Sequence, residues 1–477
     1  MRRFKLDERS KMDQQSQRRH VLCVAFPAYG HMIPLLTLAR KISEFHDVTF
    51  AVSESQHEEL KRREILEDND AHIKLFGIDD GFADDTAERF ADDPRNMKLM
   101  EQMFQQAMDG VAKLISEIPT HKGASKPDFG IQRPVDVVIT DNMVAGIVAP
   151  VKSRGPLFYL FNASCASFNL LVLSFNEDHP TCADEDAPAF QKVPAPGQPL
   201  LPITVGFLPT VLKMKHGMLL ADGIIMNSFR GAEEEAIRTI QSHPEMTHIP
   251  LHCVGPLIPQ VKETNVKRQV TEKKVKQWLD AKPGSSVIYV SFGSVAQLTS
   301  EQVREIAKAL STLDRPFIWS LKGQLHAHLP AESQKTLLSN LEDNNSGHLI
   351  VQWAPQKLVL AHPSVALFVS HCGWNSTIEG LASGKPFVAW PQFSDQLINA
   401  EFAEGKGAAV VIRNAGTKKG RLVKAEEVAN AVRKAETECA AAARTWGQKM
   451  RRAIQPGNAS YEEFVQLMQK FNDLRIE

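Results

Sequence analysis

The sequence predicts an α/β fold of two doubly wound domains, each built on a parallel sheet covered by helices on both faces. Short unbroken apolar runs alternate with amphipathic stretches along the whole chain, which is typical of parallel strands buried on both faces. The chain of 477 residues is too long for one ordinary core. A segment near its middle, 252–270, contains two prolines and a glycine before a polar stretch, and suits an interdomain linker.

The apolar runs are the predicted strands, taken in chain order. They span 21–26, 47–52, 72–78, 136–140 and 156–161 in the first half, and 287–292, 317–321, 349–353, 366–371, 387–390 and 408–412 in the second. The most membrane-like stretch, 156–175, contains polar residues throughout, so it predicts a buried strand followed by a helix and not a membrane span. Amphipathic patterns at 425–437, 440–454 and 460–471 predict helices at the end of the chain.

These elements divide the chain into five predicted segments. They are a disordered leader (1–19), an N-terminal Rossmann-like domain (20–252), an interdomain linker (253–275), a C-terminal Rossmann-like domain (276–455) and a C-terminal helix (456–477). Two such domains form a cleft, and ligands of parallel sheets bind at the carboxyl ends of the strands. Functional side chains are therefore expected where the predicted strands end.

Composition and charge exclude several classes of protein. Hydrophobic residues make up 43 % of the chain and the formal net charge is −1, so nothing favours nucleic acid or an anionic membrane as a partner. The six cysteines are scattered without metal-like spacing, which predicts reduced, buried thiols. The leader is charged and lacks the apolar stretch of a signal peptide. We therefore expect a cytoplasmic protein, and a monomer.

One segment, from Trp353 to Gln396, carries isolated polar side chains at successive strand ends. His371 ends a predicted strand, and the sequence CGWNSTIEGLA after it begins a helix. Asn375 and Ser376 then lie where a helix N-terminus exposes backbone N–H groups, which together with the helix dipole favour a phosphate. His371 can donate a hydrogen bond to the same oxygens.

The same segment offers groups for the rest of a nucleotide sugar. Glu379, one helical turn after the predicted phosphate site, can accept from ribose hydroxyls, and Trp353 offers a flat face on which a base can stack. Asp395 and Gln396 follow another strand and suit the vicinal hydroxyls of a sugar. Taken singly, each side chain has a plainer interpretation as a helix cap or as packing. Their occurrence together favours a nucleotide-sugar site.

The segment resembles the signature box of plant-type UDP-dependent glycosyltransferases that act on small molecules. The match runs from WAPQ through HCGWNS and its glutamate to the closing DQ. PAYGH, DVVITD, DGIIMNSF, VGPL and YVSFGS also match, so the resemblance covers roughly 21–471. It implies the GT-B fold, in which two Rossmann-like domains face each other across a cleft. It also implies that the C-terminal helix packs back on the N-terminal domain.

The resemblance further implies a role for each matching residue. Trp353 would stack on uracil, Ala354 would bind uracil through its backbone, and the ribose would be held by Gln356 and Glu379. The residues that would bind the diphosphate are Ser294, His371, Asn375 and Ser376. The residues that would contact the transferred sugar are Trp374, Asp395 and Gln396. The last of these is typical of relatives that use glucose, so UDP-glucose is the expected co-substrate and no cofactor is implied.

Two residues of the first half are the predicted catalytic pair. His31 follows the first strand through the turn PAYG, and a histidine can remove the proton of a hydroxyl since imidazole titrates near neutrality. Asp141 ends another strand, and a carboxylate bonded to a histidine fixes the tautomer of the ring. The resemblance assigns His31 as general base and Asp141 as its partner in a single inverting displacement. Pro34 is predicted to lie in the first turn of the following helix.

Neither a metal nor a particular acceptor is predicted. The acidic groups Asp68-Asn69-Asp70 and Asp184-Glu185-Asp186 lie in polar, loop-like stretches, which favours solvated surface over a metal site. The expected acceptor is a small lipophilic compound with a hydroxyl group, such as a phenol, flavonoid or terpenoid. Asn162 stands where relatives often have Ser or Thr near the sugar, which leaves the preference between sugars open.

Other functions use the same residues. One alternative is the same fold acting on a different UDP-sugar or as a sugar-nucleotide epimerase, and the complete signature segment argues against the epimerase. A protein that only binds a sugar nucleotide, without catalysis, would need the donor residues alone. Because His31 and Asp141 are both present, the sequence favours the enzyme.

Overall fold

The computed structural model of the protein describes residues 18–62, 72–79, 97–123, 130–175, 190–193, 201–204, 208–258, 266–294, 296, 298–334, 337, 347–416 and 421–474. The chain divides into two compact units. The first comprises Met1–Phe190, Thr204–Val261 and Gln455–Glu477, and the second comprises Gln191–Ile203 and Lys262–Ile454. Each unit has its own sheet and its own hydrophobic core.

The first unit contains a seven-stranded parallel sheet. Its strands are β1 His20–Val24, β2 Asp47–Ser53, β3 Ile73–Ile78, β4 Val137–Asp141, β5 Leu157–Asn162, β8 Gly223–Met226 and β9 Leu251–Cys253, while β6 Phe190–Val193 and β7 Leu201–Thr204 form a separate pair. The order is β3-β2-β1-β4-β5-β8-β9, so the chain winds outward from β1, returns to β4 and winds the other way. The topological switch point therefore lies between β1 and β4, where Val24 pairs with Thr140.

Helices of the first unit connect these strands. They are α1 Tyr29–Ser43, α2 Glu54–Arg62, α3 Met97–Glu117, α4 Val148–Arg154, α5 Ala166–Ser174, α6 Leu208–Leu220 and α7 Glu234–Ser242, with a 3₁₀ helix at Asn142–Ile147 and α16 Ala459–Asn472 from the end of the chain. The prediction for Pro34 is wrong, because α1 begins at Tyr29 and Pro34 lies in its second turn. His31 consequently lies inside the first turn of α1, where the sequence had indicated the loop before it.

Helix α16 packs against the core of the first unit. Phe464, Leu467, Met468 and Phe471 are buried in the same cluster as residues of β1 and α1. The ring of Phe471 meets that of Tyr159 edge to face at 5.1 Å, and Glu463 pairs with Arg230 at 3.0 Å. The chain end is thus held by both apolar packing and an ion pair.

The second unit contains a six-stranded parallel sheet. Its strands are β10 Val287–Ser291, β11 Phe317–Ser320, β12 Leu349–Val351, β13 Val365–Ser370, β14 Phe387–Ala389 and β15 Ala409–Val411. The order is β12-β11-β10-β13-β14-β15, which places the switch point between β10 and β13. Ser291 and Ser370, the last residues of these two strands, are paired in register.

Helices of the second unit flank this sheet. They are α8 Val266–Asp280, α9 Ser300–Thr312, α10 Ala331–Gln334, α11 Gln356–Ala361, α12 Trp374–Ala382, α13 Gln396–Gly405, α14 Ala425–Lys434 and α15 Ala440–Ala453, with a 3₁₀ helix at Gly323–His328 and a π-helical turn at Ala435–Cys439. The indole rings of Trp278, Trp319 and Trp390 are among the largest fully buried side chains. They show that this unit has a packed core of its own.

The structure confirms the predicted α/β class with two parallel sheets, and every predicted strand is found. The stretch 156–175 forms β5 and α5, as predicted, and no helix of the described residues is both long and apolar enough to span a bilayer. Five cysteines are unpaired and buried, whereas Cys182 lies outside the described residues. Strands β8 and β9 were not predicted from apolar runs.

The ends of two predicted segments differ from the structure. Arg18 and Arg19, assigned to the leader, are bonded within the first unit: Arg18 Nε donates to Asp47 at 2.9 Å and Arg19 donates to the carbonyl of Asn472 at 3.0 Å. In the predicted linker 253–275, residues 266–275 belong to α8. The remainder of the leader lies outside the described residues.

Candidate functional site

A histidine and a buried carboxylate meet at the switch point of the first sheet. His31 is in the first turn of α1, after β1, and Asp141 is the last residue of β4. Nδ1 of His31 lies 3.0 Å from each carboxylate oxygen of Asp141. The Asp141 side chain is fully buried, whereas 24 % of the His31 side chain is exposed. The pair therefore has one partly accessible member, the imidazole.

The hydrogen bonds of Asp141 determine the tautomer of His31. The Asp141 Oδ1 atom also accepts the backbone N–H of Met143 at 2.9 Å, so the carboxylate is held at the start of the 3₁₀ helix. A carboxylate can only accept, hence Nδ1 of His31 carries the hydrogen and Nε2 is the basic nitrogen. Phe26 meets the imidazole edge to face at 5.7 Å. This arrangement can accept a proton at Nε2 and stabilise the resulting imidazolium.

In the second unit, His371 lies between two glycines at the switch point of the sheet. A Cβ atom at Gly293, after β10, would lie 2.6 Å from Nε2 of His371, and one at Gly373 would lie 2.7 Å from it. Gly293 also has a φ of +73°, which favours glycine. Because neither Gly293 nor Gly373 has a side chain, two backbone segments can approach the imidazole. Ser294, predicted to bind diphosphate, follows Gly293 and is exposed.

Burial keeps the imidazole of His371 neutral. Desolvation lowers the pKa of His371 to about 4, although a hydrogen bond with the Ser291 backbone acts in the opposite direction. Its Nδ1 atom is buried without a hydrogen-bond partner among the described residues. A buried polar atom without a partner is uncommon in a native fold and points to a ligand or water. An anion beside His371 would therefore meet an uncharged imidazole and not a cation.

Helix α12 begins immediately after this glycine turn. Gly373 is its N-cap and has no side chain, so the N–H groups of the first turn are not capped by that residue. Asn375 and Ser376 lie in this turn, as predicted. The ring of Trp374 is buried against Phe402 at 5.4 Å between centroids. Trp374 can consequently offer its backbone N–H to a ligand, but its ring faces the protein interior.

Gln356 joins three residues in a partly buried hydrogen-bond network. Its Nε2 donates to Glu379 Oε2 at 2.7 Å and to Ser376 Oγ at 3.1 Å, and its Oε1 accepts from Tyr289 OH at 3.2 Å. Burial raises the pKa of Glu379, while the bond from Gln356 opposes that shift. The structure thus brings together both residues predicted to hold ribose, and adds Tyr289.

Trp353 and Ala354 follow β12. The indole of Trp353 is partly buried, and the guanidinium carbon of Arg268 lies 4.6 Å from its ring centroid, a cation–π contact. Ala354 is buried, so its backbone is the part that can bind a ligand. Arg268 was not predicted, since its position in α8 is distant from Trp353 in sequence.

Asp395 and Gln396 lie at the start of α13. The Gln396 Oε1 atom accepts the backbone N–H groups of Gln392 at 2.9 Å and Phe393 at 3.2 Å, which directs the amide NH₂ elsewhere. Asp395 Oδ2 accepts from Nδ2 of Asn399 at 3.1 Å. A donor amide and an acceptor carboxylate in adjacent positions can recognise neighbouring hydroxyls of a sugar.

Some residues escaped prediction although the sequence contained a signal. Tyr289 is a tyrosine inside a buried strand, and a buried hydroxyl needs a partner. Asn399 follows Asp395 by one helical turn, the spacing of residues in contact. Asn162 was assigned a place near the sugar, but its side chain is fully buried and bonded to Ser164, Asn142 and Asn169. The hydrogen bonds of Asn162 therefore stabilise the interior of the first unit.

Potential metal ligands do not coincide with either site in the described part of the chain. One group, Glu54, His57 and Glu58, lies on α2 and shares no residue with the clusters described above. The two acidic groups at 68–70 and 184–186, noted in the sequence, lie outside the described residues.

Comparisons with known proteins identify similar sequences and folds. The family model for UDP-glucoronosyl and UDP-glucosyl transferase matches residues 247–435. The chain is 32 % identical over 427 residues to gallate 1-beta-glucosyltransferase of Quercus robur, covering 86 % of this chain and 80 % of that protein. It is 31 % identical to UDP-glycosyltransferase CGT of Oryza sativa subsp. japonica, covering 84 % of both chains.

Solved structures show the same architecture. Medicago truncatula UGT71G1, complexed with UDP-glucose, superposes with a TM-score of 0.78 at 22 % identity over 97 % of this chain and 100 % of that one. Phytolacca americana UGT2, complexed with UDP-2fluoro-glucose and pterostilbene, gives 0.73 at 23 % identity, over 95 % of this chain and 100 % of that one. At these identities the likeness concerns the fold, and it confirms the predicted GT-B class.

Proposed function

Because this chain belongs to the family of plant-type UDP-dependent glycosyltransferases, we propose that it transfers glucose from UDP-glucose to a hydroxyl of a small lipophilic acceptor. His31 acts as the general base and Asp141 as its partner. The observation that carries this proposal is the 3.0 Å contact between His31 Nδ1 and the fully buried Asp141 carboxylate. A protein that only bound nucleotide sugars would have no use for this pair.

The donor is held by the residues of the second unit. Trp353 stacks on uracil, Ala354 binds it through the backbone, and the carboxylate of Glu379 accepts from ribose beside Gln356. The first turn of α12, together with His371 and Ser294, binds the diphosphate. Asp395 and the NH₂ group of Gln396 bind the sugar, and Trp374 contributes its backbone N–H.

The reaction is a single displacement at the anomeric carbon. The acceptor oxygen forms a bond to this carbon as the bond from the carbon to the diphosphate oxygen breaks, and UDP leaves with that electron pair. The acceptor proton moves to Nε2 of His31, and Asp141 stabilises the imidazolium. Attack opposite the leaving group inverts the configuration. The backbone N–H groups at the N-terminus of α12, beside His371, stabilise charge that develops on the leaving diphosphate.

The names of relatives support a small-molecule acceptor. They include gallate 1-beta-glucosyltransferase, cinnamate beta-D-glucosyltransferase of Fragaria ananassa and limonoid UDP-glucosyltransferase of Citrus unshiu. We therefore propose a phenolic, flavonoid or terpenoid-like acceptor. The buried, unpaired state of the five described cysteines supports a reducing, cytoplasmic location.

Acceptor-dependent release of UDP is the direct test of this function. UDP-glucose is incubated with a panel of phenols, flavonoids and terpenoid alcohols, and UDP is quantified beside a control without acceptor. We expect release only with acceptor, and a product whose anomeric configuration is inverted relative to the donor. UDP-galactose and UDP-glucuronate, tested in parallel, should react more slowly. Binding of UDP-glucose without transfer to any acceptor would instead favour a sugar-nucleotide-binding protein.

Removal of divalent metal ions should leave transfer nearly unchanged. The leaving diphosphate is stabilised by backbone N–H groups beside His371 in this mechanism, so a chelator has no catalytic ion to remove. Initial rates are measured before and after treatment with EDTA. Strong inhibition that Mg²⁺ or Mn²⁺ reverses would contradict the mechanism and leave the family assignment intact.

A further inference from the structure

Asn399 joins two separate parts of the candidate donor site. This residue is fully buried in the first turn of α13. Its Nδ2 atom donates one hydrogen bond to the backbone carbonyl of Cys372 at 3.0 Å and another to Oδ2 of Asp395 at 3.1 Å. Its backbone N–H donates to the carbonyl of Asp395 at 3.0 Å. The amide thus connects the turn after β13 with the start of α13.

The orientation of this amide follows from its partners. A backbone carbonyl and a carboxylate can only accept, so Nδ2 of Asn399 must face both of them. The Oδ1 atom is then left buried, without a hydrogen-bond partner among the described residues. An unpaired buried oxygen costs free energy that an apolar side chain of similar size would avoid. Stability alone therefore does not account for asparagine at this position.

Both partners of Asn399 lie beside groups that bind the donor in the proposed function. Cys372 has a φ of +60° between His371 and Gly373, a conformation that is costly for a residue other than glycine. Cys372 lies in the turn that precedes α12. Asp395 is the carboxylate proposed to bind the sugar, and one of its oxygens is held by Asn399.

We propose that Asn399 is a positioning residue for sugar transfer: its bond to the Cys372 carbonyl fixes the amide, and the amide orients the Asp395 carboxylate. The role rests on the proposed function, in which Asp395 contacts the transferred sugar. Asn399 itself does not contact the donor. It sets the direction in which Asp395 presents its second oxygen.

The first test compares the donor with its nucleotide part alone. In Asn399→Ala, kcat/KM for UDP-glucose should fall about 10- to 100-fold, the effect of losing a hydrogen bond to a charged group. The Kd of UDP, measured by calorimetry, should stay within about threefold, since UDP lacks the sugar that Asp395 holds. Substitution of a residue that only supported the fold would lower kcat/KM for UDP-glucose and the affinity for UDP to the same extent.

Asn399→Asp gives a pH-dependent readout of the same contact. Its carboxylate would lie beside that of Asp395, and repulsion between two carboxylates raises the pKa of the pair. As the pH falls through that raised pKa, the pair takes up one proton. The protonated carboxyl group then donates a hydrogen bond to the other carboxylate. The ratio of kcat/KM for Asn399→Asp to that for Asn399→Ala should therefore rise from about pH 8 to about pH 6.

Neighbouring titratable groups do not obscure this pH readout. Burial raises the pKa of the Cys372 thiol to about 12 and lowers the pKa of His371 to about 4, so both stay neutral in this range. Asn430→Asp is the matched control, since Asn430 is exposed on α14 and should keep wild-type kinetics. Circular dichroism and thermal unfolding establish that each variant is folded.

Three outcomes would overturn the proposal. One is an unchanged kcat/KM in Asn399→Ala while the wild type transfers glucose. Another is a loss of kcat/KM for UDP-glucose that is matched by an equal loss of affinity for UDP, together with a ratio of kcat/KM between Asn399→Asp and Asn399→Ala that does not change with pH. The last is a wild-type protein that binds UDP but transfers no sugar, which would overturn the proposed function and this role with it.

Discussion

His31→Ala is expected to lower the rate of glucose transfer about 10²- to 10⁴-fold, the usual contribution of a positioned general base. The imidazole is partly exposed, and its contact with Asp141 leaves Nε2 as the basic nitrogen. Alanine provides no group that can accept the acceptor proton, so the chemical step must proceed without a base. Initial rates of UDP release at saturating UDP-glucose, with the best acceptor of the panel, measure the effect.

Binding of the donor separates this effect from loss of structure. The donor residues belong to the second unit and His31 to the first, so the Kd of UDP should match that of the wild type. His248→Ala is a suitable control, because His248 is exposed and precedes β9, outside both clusters. Wild-type turnover in His31→Ala would rule out the base assignment. Loss of UDP binding would show instead that the substitution had perturbed more than the base.

Asp141→Asn is expected to reduce transfer by up to roughly 10⁴-fold, as when asparagine replaces the carboxylate partner of another catalytic histidine. The backbone N–H of Met143 donates to Oδ1 at 2.9 Å and will retain the amide oxygen there. The NH₂ group of the new side chain then replaces Oδ2, which is 3.0 Å from Nδ1 of His31. The amide oxygen at the Oδ1 position is also 3.0 Å from Nδ1 but no longer carries a charge, so the tautomer in which Nδ1 accepts from the NH₂ group and the hydrogen is on Nε2 becomes favoured, and the basic nitrogen is lost.

Asp136→Asn provides the matched control for this substitution. Asp136 precedes β4, at the opposite end of the same strand, and it is also largely buried and paired with a histidine, His121, at 2.9 Å. Asp136→Asn should keep the kcat of the wild type, whatever its effect on the Tm. The double variant His31→Ala/Asp141→Asn should be no slower than His31→Ala alone, since the two residues act as a unit. Additive losses would show that Asp141 acts independently of His31.

The fold was predictable because the apolar runs in the sequence are long enough to be recognised as strands. Parallel strands covered on both faces require continuous apolar residues, and the strands β1 to β5 and β10 to β15 were identified in this way. The apolar runs at β8 and β9 are short or interrupted, since Gly223 precedes only three apolar residues in β8 and His252 divides β9. They are strands because β8 pairs with β5 and β9 pairs with β8.

The sequence by itself determined the class of fold and the chemical types of the donor residues, since both depend on local patterns and on one continuous segment. Only the tertiary structure decided that His31 and Asp141, separated by 110 positions, are in contact, because that depends on β1 lying beside β4. It also decided the direction of each buried amide. The side-chain amides of Gln396 and Asn399 can each adopt two orientations that exchange the oxygen and the NH₂ group, and the orientation follows from which neighbouring groups can only accept or only donate.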